Sequence, residues 1–460
     1  MRPLLLLSFA VACGPGPSDG KKPADAAEAP LPDVWGLEPL EDHDPAPDVV
    51  EVHLTIDKTQ VEWMPGTTTQ AWAYNGVVPG PLIQAEVGDT LRVVFTNGLK
   101  QDTTIHWHGL RIPDAMDGVP AVQDPVRAGE TFVYEFELPD SGSFWYHPHV
   151  RTAEQMEHGM YGALVVHEKP ADRPTFDRER YFVLDDVALD DDGDYSPFGG
   201  GMDDMHGRHG NILLANGTGD TLVDEVPRGT RERWRIVNVA NARTMWVDVK
   251  GADWRVVAVD GTLLPSPWNT GRNALIEVGR RLDLEVVPTD DAASVELQVQ
   301  LPDGYGGWYK YPQFEGAITG DAASPGFMEW SAPALPEPKP IEQEIDIVLG
   351  ADTSNGLNWT INGATYEMGD AIPARGNTPT RIRIVEDSGA PHPFHLHGQF
   401  FQILDRDVLD HVPGQLDTVI VDAYETVEVY TELDNPGVWM AHCHILEHAD
   451  LGMMTELHVE

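Results

Sequence analysis

The stretch His442-Cys443-His444-Ile445-Leu446-Glu447-His448, with Met453 five residues further on, carries most of the information in this chain. Cys443 is one of two cysteines among 460 residues. A thiolate, imidazoles and a thioether at this spacing suit one soft redox metal, copper, and indicate electron transfer. The other cysteine, Cys13, lies at the end of a predicted targeting segment, so no disulfide is expected.

Histidines are concentrated in four clusters that hold ten of the 18 in the chain. The clusters are His106 and His108; His147 and His149; His392, His395 and His397; and His442, His444 and His448. Side chains at i and i+2 on a strand share a face, so His442 and His444 can face one group of metal ions while Cys443 faces another metal. Together with the pairs 106/108, 147/149 and 395/397 they supply eight imidazoles, enough for about three metal ions with open positions for a small ligand.

Short alternating apolar runs broken by Gly, Pro, Asn and Asp begin at Val49 and continue to the C-terminus. This pattern predicts an all-β chain of β-sandwiches, and no long helical period interrupts it. The formal net charge of −45 makes nucleic acid an unlikely partner and predicts a solvated acidic surface, with attraction of metal cations as the alternative.

An internal repeat predicts three domains. Each copy has Asn-Gly, a short apolar stretch, a Gly and then an alternating strand that contains Arg; the copies begin at Asn75, Asn216 and Asn362. Histidine motifs follow the first and third copies, whereas the second has none, so the middle domain is expected to keep the fold without metal ligands. A Pro-rich connector marks the last boundary. The predicted domains are residues 48–170, 171–332 and 333–460.

The N-terminus predicts export. Arg2, the apolar run from Leu4 to Leu7 and the small residues before Cys13 indicate a signal segment over residues 1–13, in which Cys13 is either removed with the signal or retained and acylated as a membrane tether. Residues 14–47, rich in Pro, Ala, Asp and Glu, predict an exposed tether. We therefore expect a periplasmic or cell-surface protein.

The histidine motifs as a set resemble those of the multicopper oxidases. They are His106-Trp107-His108-Gly109, His147-Pro148-His149, His392-Pro393-Phe394-His395-Leu396-His397-Gly398 and the stretch from His442 to Met453. The similarity spans Val49 to the C-terminus. Motif order, domain placement and a middle domain without a histidine motif match the three-domain, laccase-like and copper-efflux-oxidase-like bacterial branch. The resemblance implies three consecutive cupredoxin-like Greek-key β-sandwich domains.

The resemblance also implies a role for each motif position and a total of four copper ions. The type 1 ligands would be His392, Cys443 and His448, with Met453 as the weak axial ligand. The type 2 ligands would be His106 and His395. The type 3 pair would be held by His108, His147, His149, His397, His442 and His444.

The activity that this resemblance implies is the coupling of four one-electron oxidations to the reduction of dioxygen to water. Donors would be phenols, aromatic amines or low-valent metal ions such as Cu(I) or Fe(II), docking near His392 or His448, and the electron would cross through Cys443. The alternative is an exported copper-binding protein that buffers the metal with little turnover. A copper nitrite reductase is disfavoured by the full set of histidine pairs.

Two further features leave alternatives open. Asp117 matches a position where the family often has an acid that acts on bound water, and it is equally well explained as a turn residue before Gly118. Ala449 stands where many relatives have an acidic residue, with Asp450 next, so the proton route departs from the family pattern. The Gly-rich segment 199–210 holds Met202, Met205, His206 and His209, which predicts either a plain polar loop or a transient copper site.

Overall fold

The structure is a computed structural model, and it describes residues 31–406 and 413–460. Strands dominate this part of the chain, and the all-β prediction is confirmed. No helix in these two ranges is long and apolar enough to cross a membrane. The predicted signal segment 1–13, with Cys13, lies outside the described residues.

The strands and helices follow one another in three groups along the chain. The first group contains β1 Val34–Trp35, β2 Val49–Val61, β3 Thr69–Tyr74, β4 Gly80–Glu86, β5 Thr90–Asn97, β6 His106–His108, β7 Thr131–Glu137, β8 Gly142–His147, helix α1 Thr152–Glu157 and β9 Gly162–His167. The second contains β10 Arg178–Val187, helix α2 Met202–His206, β11 Ile212–Ala215, β12 Leu222–Pro227, β13 Glu232–Asn238, β14 Met245–Lys250, β15 Ala252–Val259, β16 Thr262–Trp268, β17 Ala274–Ile276, β18 Arg281–Pro288, β19 Ser294–Pro302 and β20 Trp308–Thr319.

The third group completes the chain. It contains β21 Gln343–Asp352, β22 Asn358–Ile361, β23 Ile372–Ala374, β24 Thr380–Glu386, β25 His392–Leu396, β26 Gln402–Arg406, β27 Thr418–Val421, β28 Thr426–Thr431, β29 Gly437–Cys443, helix α3 Leu446–Asp450 and β30 Met454–Val459.

Six sheets form three pairs that repeat one strand order. In the first sheet of each pair a parallel couple (β2 with β5, β10 with β13, β21 with β24) is flanked by β3, β11 or β22 and by β7, β18 or β28. The second sheets run β4-β9-β8-β6, β12-β20-β19-β14-β17 and β23-β30-β29-β25-β27. This order is what an internal repeat predicts. The boundaries at 170/171 and 332/333 stay predictions, because Leu31–Glu460 forms one compact unit.

The shared strand order places the histidine motifs on equivalent strands. β6 begins at His106 and β25 begins at His392, whereas their counterpart β14 begins at Met245. Likewise β8 ends at His147 and β29 at Cys443, while their counterpart β19 contains no histidine. The middle pair of sheets therefore keeps the architecture at the positions where the other two carry ligand-type side chains.

Part of the predicted tether is ordered. Val34–Trp35 pairs with β10 in parallel, and the Trp35 ring lies 5.4 Å from the Phe314 ring. The structure describes residues 31–47 of the segment 14–47 that was predicted to be an exposed tether, and within them Val34 and Trp35 pair with the sheet. The reason is local: a Trp in an otherwise polar segment buries enough apolar surface to hold the chain against the sheet.

Each repeat begins with the same asparagine turn. Asn75, Asn216 and Asn362 have φ of 51°, 47° and 53°, in the left-handed region that an Asn before Gly tolerates in a tight hairpin. Each side chain also bonds, at two points, the strand that lies one before the strand leading into the turn: β2, β10 or β21. In Asn216 the side-chain Oδ1 accepts the Val183 N–H at 2.7 Å, and Nδ2 donates to the Tyr181 carbonyl at 2.8 Å. Asn75 and Asn362 make the corresponding pairs of bonds.

Replacing Asn216 tests this turn. Asn216→Ala loses both side-chain bonds and the tolerance of positive φ, so we expect it to lower the free energy of unfolding by about 2 to 3 kcal/mol. Asn216→Gly keeps the backbone conformation and should lose about half as much. Urea unfolding measures both. Asn355→Ala, at an exposed asparagine outside this set, is the control. An Asn216→Ala midpoint equal to that of the control would contradict the role of the turn.

Candidate metal centre

Cys443 ends β29 and lies within ligand distance of two histidines from other elements. Its Sγ is 3.4 Å from Nδ1 of His392, the first residue of β25, and 3.7 Å from Nδ1 of His448 in α3. The two Nδ1 atoms are 3.1 Å apart. His392, Cys443 and Met453 are fully buried, and His448 nearly so. The main chain brings Met453 beside them, since the Cys443 N–H donates to the Met453 carbonyl at 3.1 Å.

Burial sets the protonation of this group. It lowers the pKa of His392 to about 4 and that of His448 to about 2, so both imidazoles are neutral and offer a lone pair. It raises the pKa of the Cys443 thiol, because a thiolate without a nearby cation is disfavoured in an apolar interior. Two neutral imidazoles and a thiol that needs a cation to ionise fit a soft metal ion.

Trp359 covers this group from the side of helix α2. Its ring lies 4.0 Å from the His448 ring and 5.1 Å, edge-on, from the His392 ring. Its Nε1 donates to the Asp204 carbonyl in α2 at 2.8 Å. The ring therefore excludes water from both histidines and ties α2 to them.

The other eight histidines of the four motifs meet in a second buried cluster. Ligand atoms within 4.8 Å of one another define three overlapping triads: His106, His108 and His147; His106, His395 and His397; and His149, His397 and His442. His444 joins them, its ring 5.0 Å from the His108 ring and 5.6 Å from the His442 ring. The histidines in this cluster come from β6, β8 and the residues after it, β25 and β29, so two pairs of sheets build it together.

Backbone carbonyls at Nδ1 orient four of these rings. The Asp117 carbonyl lies 2.9 Å from Nδ1 of His106, and the Asp417 carbonyl 2.8 Å from that of His395. The Pro148 and Cys443 carbonyls bind Nδ1 of His147 and His442. A carbonyl partner fixes the proton on Nδ1 and leaves Nε2 as the lone-pair atom.

Most inward nitrogens of the cluster have no partner among the described residues, apart from His397 Nε2 and His442 Nε2, which lie 3.0 Å from each other. Among the described residues no hydrogen bond reaches Nε2 of His106, His147, His149 or His395, or either ring nitrogen of His108 and His444. Buried polar atoms are ordinarily paired, so this convergence of lone pairs requires cations. Burial and the neighbouring imidazoles lower the pKa of His108, His147, His149, His395, His397 and His444, so the rings cannot satisfy one another by protonation.

The two groups meet across one strand. Cys443 faces His392 and His448, while His442 and His444 on either side of it lie in the eight-histidine cluster. This is the arrangement that strand alternation predicts.

Asp117 is fully buried between two rings of the cluster. Its Oδ2 is 2.8 Å from Nδ1 of His397, and its Oδ1 is 3.1 Å from Nδ1 of His106. It also ends the turn before Gly118, where an added Cβ would lie 1.8 Å from the Ile105 carbonyl oxygen. Both explanations of this residue thus have a structural basis, and its action on bound water stays a prediction.

The segment 199–210 is more ordered than its composition predicts. Met202–His206 forms α2, and Arg208, 2% exposed, holds the segment in place. The Arg208 Nε is 2.8 Å from the Glu157 carboxylate, and its backbone N–H donates to Glu447 at 3.0 Å. The segment walls a cavity of about 790 Å³ that ends at His448.

That cavity changes the expected docking place. The sequence predicts a donor beside an exposed edge of His392 or His448, but both rings are buried, because Trp359 and α2 lie over them. Of these two histidines, His448 lines the cavity, together with Met202, Asp203, Met205, His206 and His209 and with apolar residues that include Trp246, Leu301 and Ile420.

A second cavity, of about 600 Å³, reaches the eight-histidine cluster at His149. Asp450 lines it and accepts the N–H groups of Thr152 and Ala153 at 3.2 and 3.1 Å, at the start of α1. An acidic group therefore stands near the cluster one residue beyond the position that Ala449 occupies.

Three residues of the site were not foreseen from the sequence: Trp359, Asp417 and Arg281. Asp417 follows the third histidine cluster by 20 residues, and Arg281 lies in the predicted domain that has no histidine motif. No spacing pattern marks any of them, and only the pairing of distant strands brings them to the histidines.

Comparison with known proteins agrees with this geometry. Two family models, both described as multicopper oxidase, match residues 55–171 and 336–460. The chain is 31% identical to the multicopper oxidase MmcO of Mycobacterium tuberculosis over 85% of this chain and 84% of that protein. A crystal structure of a multicopper oxidase from Pseudomonas thermotolerans is 32% identical, with a TM-score of 0.78 over 90% of this chain and 99% of that one.

A laccase-like multicopper oxidase, CueO, from Ochrobactrum sp. is 27% identical, with a TM-score of 0.81 over 94% of this chain and 100% of that one. The relatives extend over nearly all of the chain, including the middle segment that lies between the two family matches. The family implies copper as the metal, which the donor sets fit. The chain therefore belongs to the multicopper oxidase family and is a laccase-like, copper-dependent oxidoreductase.

Proposed function

We propose that the two buried groups divide the copper ions as the family does. His392, Cys443, His448 and Met453 hold type 1 copper; His106 and His395 hold type 2 copper; and the type 3 pair is held by His108, His147, His149, His397, His442 and His444. The observation that carries this proposal is the position of Cys443, which faces one group while its two neighbours in sequence face the other.

Copper bound at these residues supplies one-electron redox chemistry, so that four single electrons and four protons convert one dioxygen to two waters. The chain's own part is to fix and shield the ligands. Backbone carbonyls orient the rings at Nδ1, and burial keeps the imidazoles neutral. The cavity at His149 supports entry of dioxygen and protons, with Asp450 on its wall. The alternative of a copper-buffering protein has less support, because the family of the chain is one of oxidases.

Cys443→Ser tests the division directly. A hydroxyl is a poor ligand for a soft metal, so we expect loss of the intense blue absorption and of oxygen uptake. The buried volume hardly changes, so thermal unfolding should stay close to wild type and roughly three copper ions should remain bound. Visible spectroscopy, copper analysis and oxygen consumption measure these outcomes. Blue colour that persists in this variant would rule out Cys443 as the type 1 ligand.

We further infer that the donor is a low-valent metal ion, and Cu(I) fits best. The wall of the cavity at His448 holds two thioethers, Met202 and Met205, that are 67% and 48% exposed, beside His206 and His209. Thioether and imidazole ligands select Cu(I). Asp203 on the same wall and the net charge of −45 favour a cation.

A phenol or aromatic amine is the second candidate. Trp246, Leu301 and Ile420 are apolar residues that line the same cavity. Such side chains suit an aromatic ring. The two donors would therefore use different side chains of one cavity, which makes them separable by substitution.

The double variant Met202→Leu/Met205→Leu separates them, because Leu keeps apolar bulk and removes the thioether. We expect kcat/KM for Cu(I) to fall about tenfold, as for a loss of about 1.4 kcal/mol of binding, and kcat/KM for a phenol to change by less than about twofold. Met368→Leu, at a methionine 74% exposed that does not line this cavity, is the matched control. Equal losses with both donors would reject the Cu(I) wall.

We also propose that the protein is exported and tethered through an acylated Cys13. The signal-like pattern ending in Ala10-Val11-Ala12 before Cys13 supports this. In a bacterial host, Cys13→Ser should abolish fatty-acid labelling and move the oxidase from the membrane fraction to the soluble exported fraction. A wild-type protein that is cleaved and carries no lipid would instead support a soluble exported enzyme.

A further inference from the structure

A buried arginine from the middle group of strands reaches the eight-histidine cluster. Arg281, the first residue of β18, is fully buried. Its Nη1 donates to Asp417 Oδ1 at 2.8 Å and its Nη2 to Oδ2 at 2.6 Å. Its Nε donates to the Ser143 carbonyl at 3.1 Å, next to β8 residues that lead to His147. One guanidinium thus joins strands of all three pairs of sheets.

Asp417 touches two of the proposed copper ligands. Its Oδ1 is 3.4 Å from Nε2 of His108 and 3.6 Å from Nδ1 of His395, while its carbonyl accepts from the same Nδ1 at 2.8 Å. The His108 and His395 rings stack on each other at 3.8 Å with an interplanar angle of 10°. One possible ligand atom from each of His108, His395 and Asp417 lies within 4.8 Å of the other two, which is close enough for one metal ion. Asp417 is therefore close enough to act either as a metal ligand or as a support for two ligands.

The guanidinium decides between these two roles. It occupies both oxygens of Asp417 in a bidentate, charge-assisted pair, the geometry that suits Arg and not Lys. A carboxylate held in this way has its charge balanced and its oxygens directed at the arginine. It then remains beside His108 and His395 as an orienting group, and the metal positions are left to imidazoles.

The surrounding chain is shaped around this contact. Gly109 has φ of +90°, and a Cβ there would lie 2.3 Å from Arg281 Nη2 and 2.7 Å from Asp417 Oδ2. Gly279 has φ of +84°, and a Cβ there would lie 2.9 Å from the His444 ring and 3.1 Å from the His108 ring. Only glycine permits the middle strands to approach so closely.

Neighbouring charged residues hold the same segment of chain. Asp260 accepts the backbone N–H groups of Asp417 and Thr418 at 3.3 and 3.4 Å, and Arg280 donates to the Thr418 carbonyl. Residues of the middle group of strands thus hold the start of β27, where Thr418 pairs with His395 of β25.

We propose that Arg281 is a positioning residue for the type 2 and type 3 histidines: it holds Asp417 where its carbonyl accepts from His395 Nδ1 and its Oδ1 lies 3.4 Å from His108 Nε2, and it keeps the carboxylate from binding the metal. The middle domain, which has no ligand of its own in the proposed assignment, thereby completes the site. This inference rests on the copper assignment proposed above.

The test compares Arg281→Met with Arg180→Met. Arg180 is equally buried and lies in the same sheet. Its carboxylate partners, Glu232 and Asp224, have no part in the proposed copper assignment. Both variants should lose stability. Arg281→Met alone should change the electron paramagnetic resonance parameters of type 2 copper. Its affinity for type 2 copper, measured by competition with a chelator, should be about 10- to 100-fold weaker than that of the wild type. The type 1 blue band should stay unchanged in both.

Two further variants make the test decisive. Arg281→Lys keeps the charge without the bidentate fork and should fall between wild type and Arg281→Met. Asp417→Asn, which keeps the shape of the side chain, should perturb the type 2 signal even if Arg281→Met does not fold. The proposal would be overturned if Asp417→Asn and Arg281→Lys had the same type 2 signal and the same resistance to the chelator as Arg180→Met. Wild-type protein that binds no type 2 or type 3 copper would instead reject the copper assignment itself.

Discussion

Eight imidazoles converge in the interior of this protein, and for seven of them burial lowers the pKa, with neighbouring imidazoles adding to the effect. Six of the rings have inward nitrogens without a hydrogen-bond partner in the described chain. Such a cluster of neutral, unpaired lone pairs is suited to cations at its centre. Because β6 and β8 come from one pair of sheets and β25 and β29 from another, the site exists only where those pairs dock.

This constraint explains why the middle strands matter although they carry no histidine. They supply Arg281, Arg280 and Asp260 where the middle strands meet the histidine cluster. Other buried arginines with carboxylate partners lie in the same sheet, as at Arg233 and Arg235. A buried ion pair adds little net stability, but removing one partner leaves an uncompensated charge. The contact between the middle strands and the histidine cluster therefore has a specific geometry. A small change in that contact alters the positions of the histidines.

Which histidines share a face could be predicted from the sequence because strand geometry couples neighbours of fixed spacing, whereas the division of the ligands among copper types is implied by the family resemblance. His442, Cys443 and His444 show this most clearly, since alternation alone separates them onto two faces. The all-β fold followed from the short apolar runs, and the three Asn-Gly turns marked the repeats. These signals are local, so a single sequence displays them.

What the sequence did not display depends on contacts between distant residues. Arg281 and Asp417 are 136 positions apart. Trp359 in β22 contacts His448 in helix α3. The segment around Arg208 has the composition of a loop, yet an ion pair with Glu157 orders it. Trp35 similarly draws part of a polar segment into the sheet. In each case one side chain outweighs the average character of its neighbours, and composition cannot reveal its partner.

The position of Cys443 has a consequence for electron transfer. Its peptide links to His442 and His444 fix the Cα separations at about 3.8 Å, and β29 is paired on both sides, with β25 and β30. Thermal breathing between the sandwiches can alter how a donor approaches, but it cannot stretch this bonded route. In the copper assignment proposed above, the bonded path between the two copper groups thus keeps a constant length, and the driving force and the reorganisation energy are left to set the internal rate.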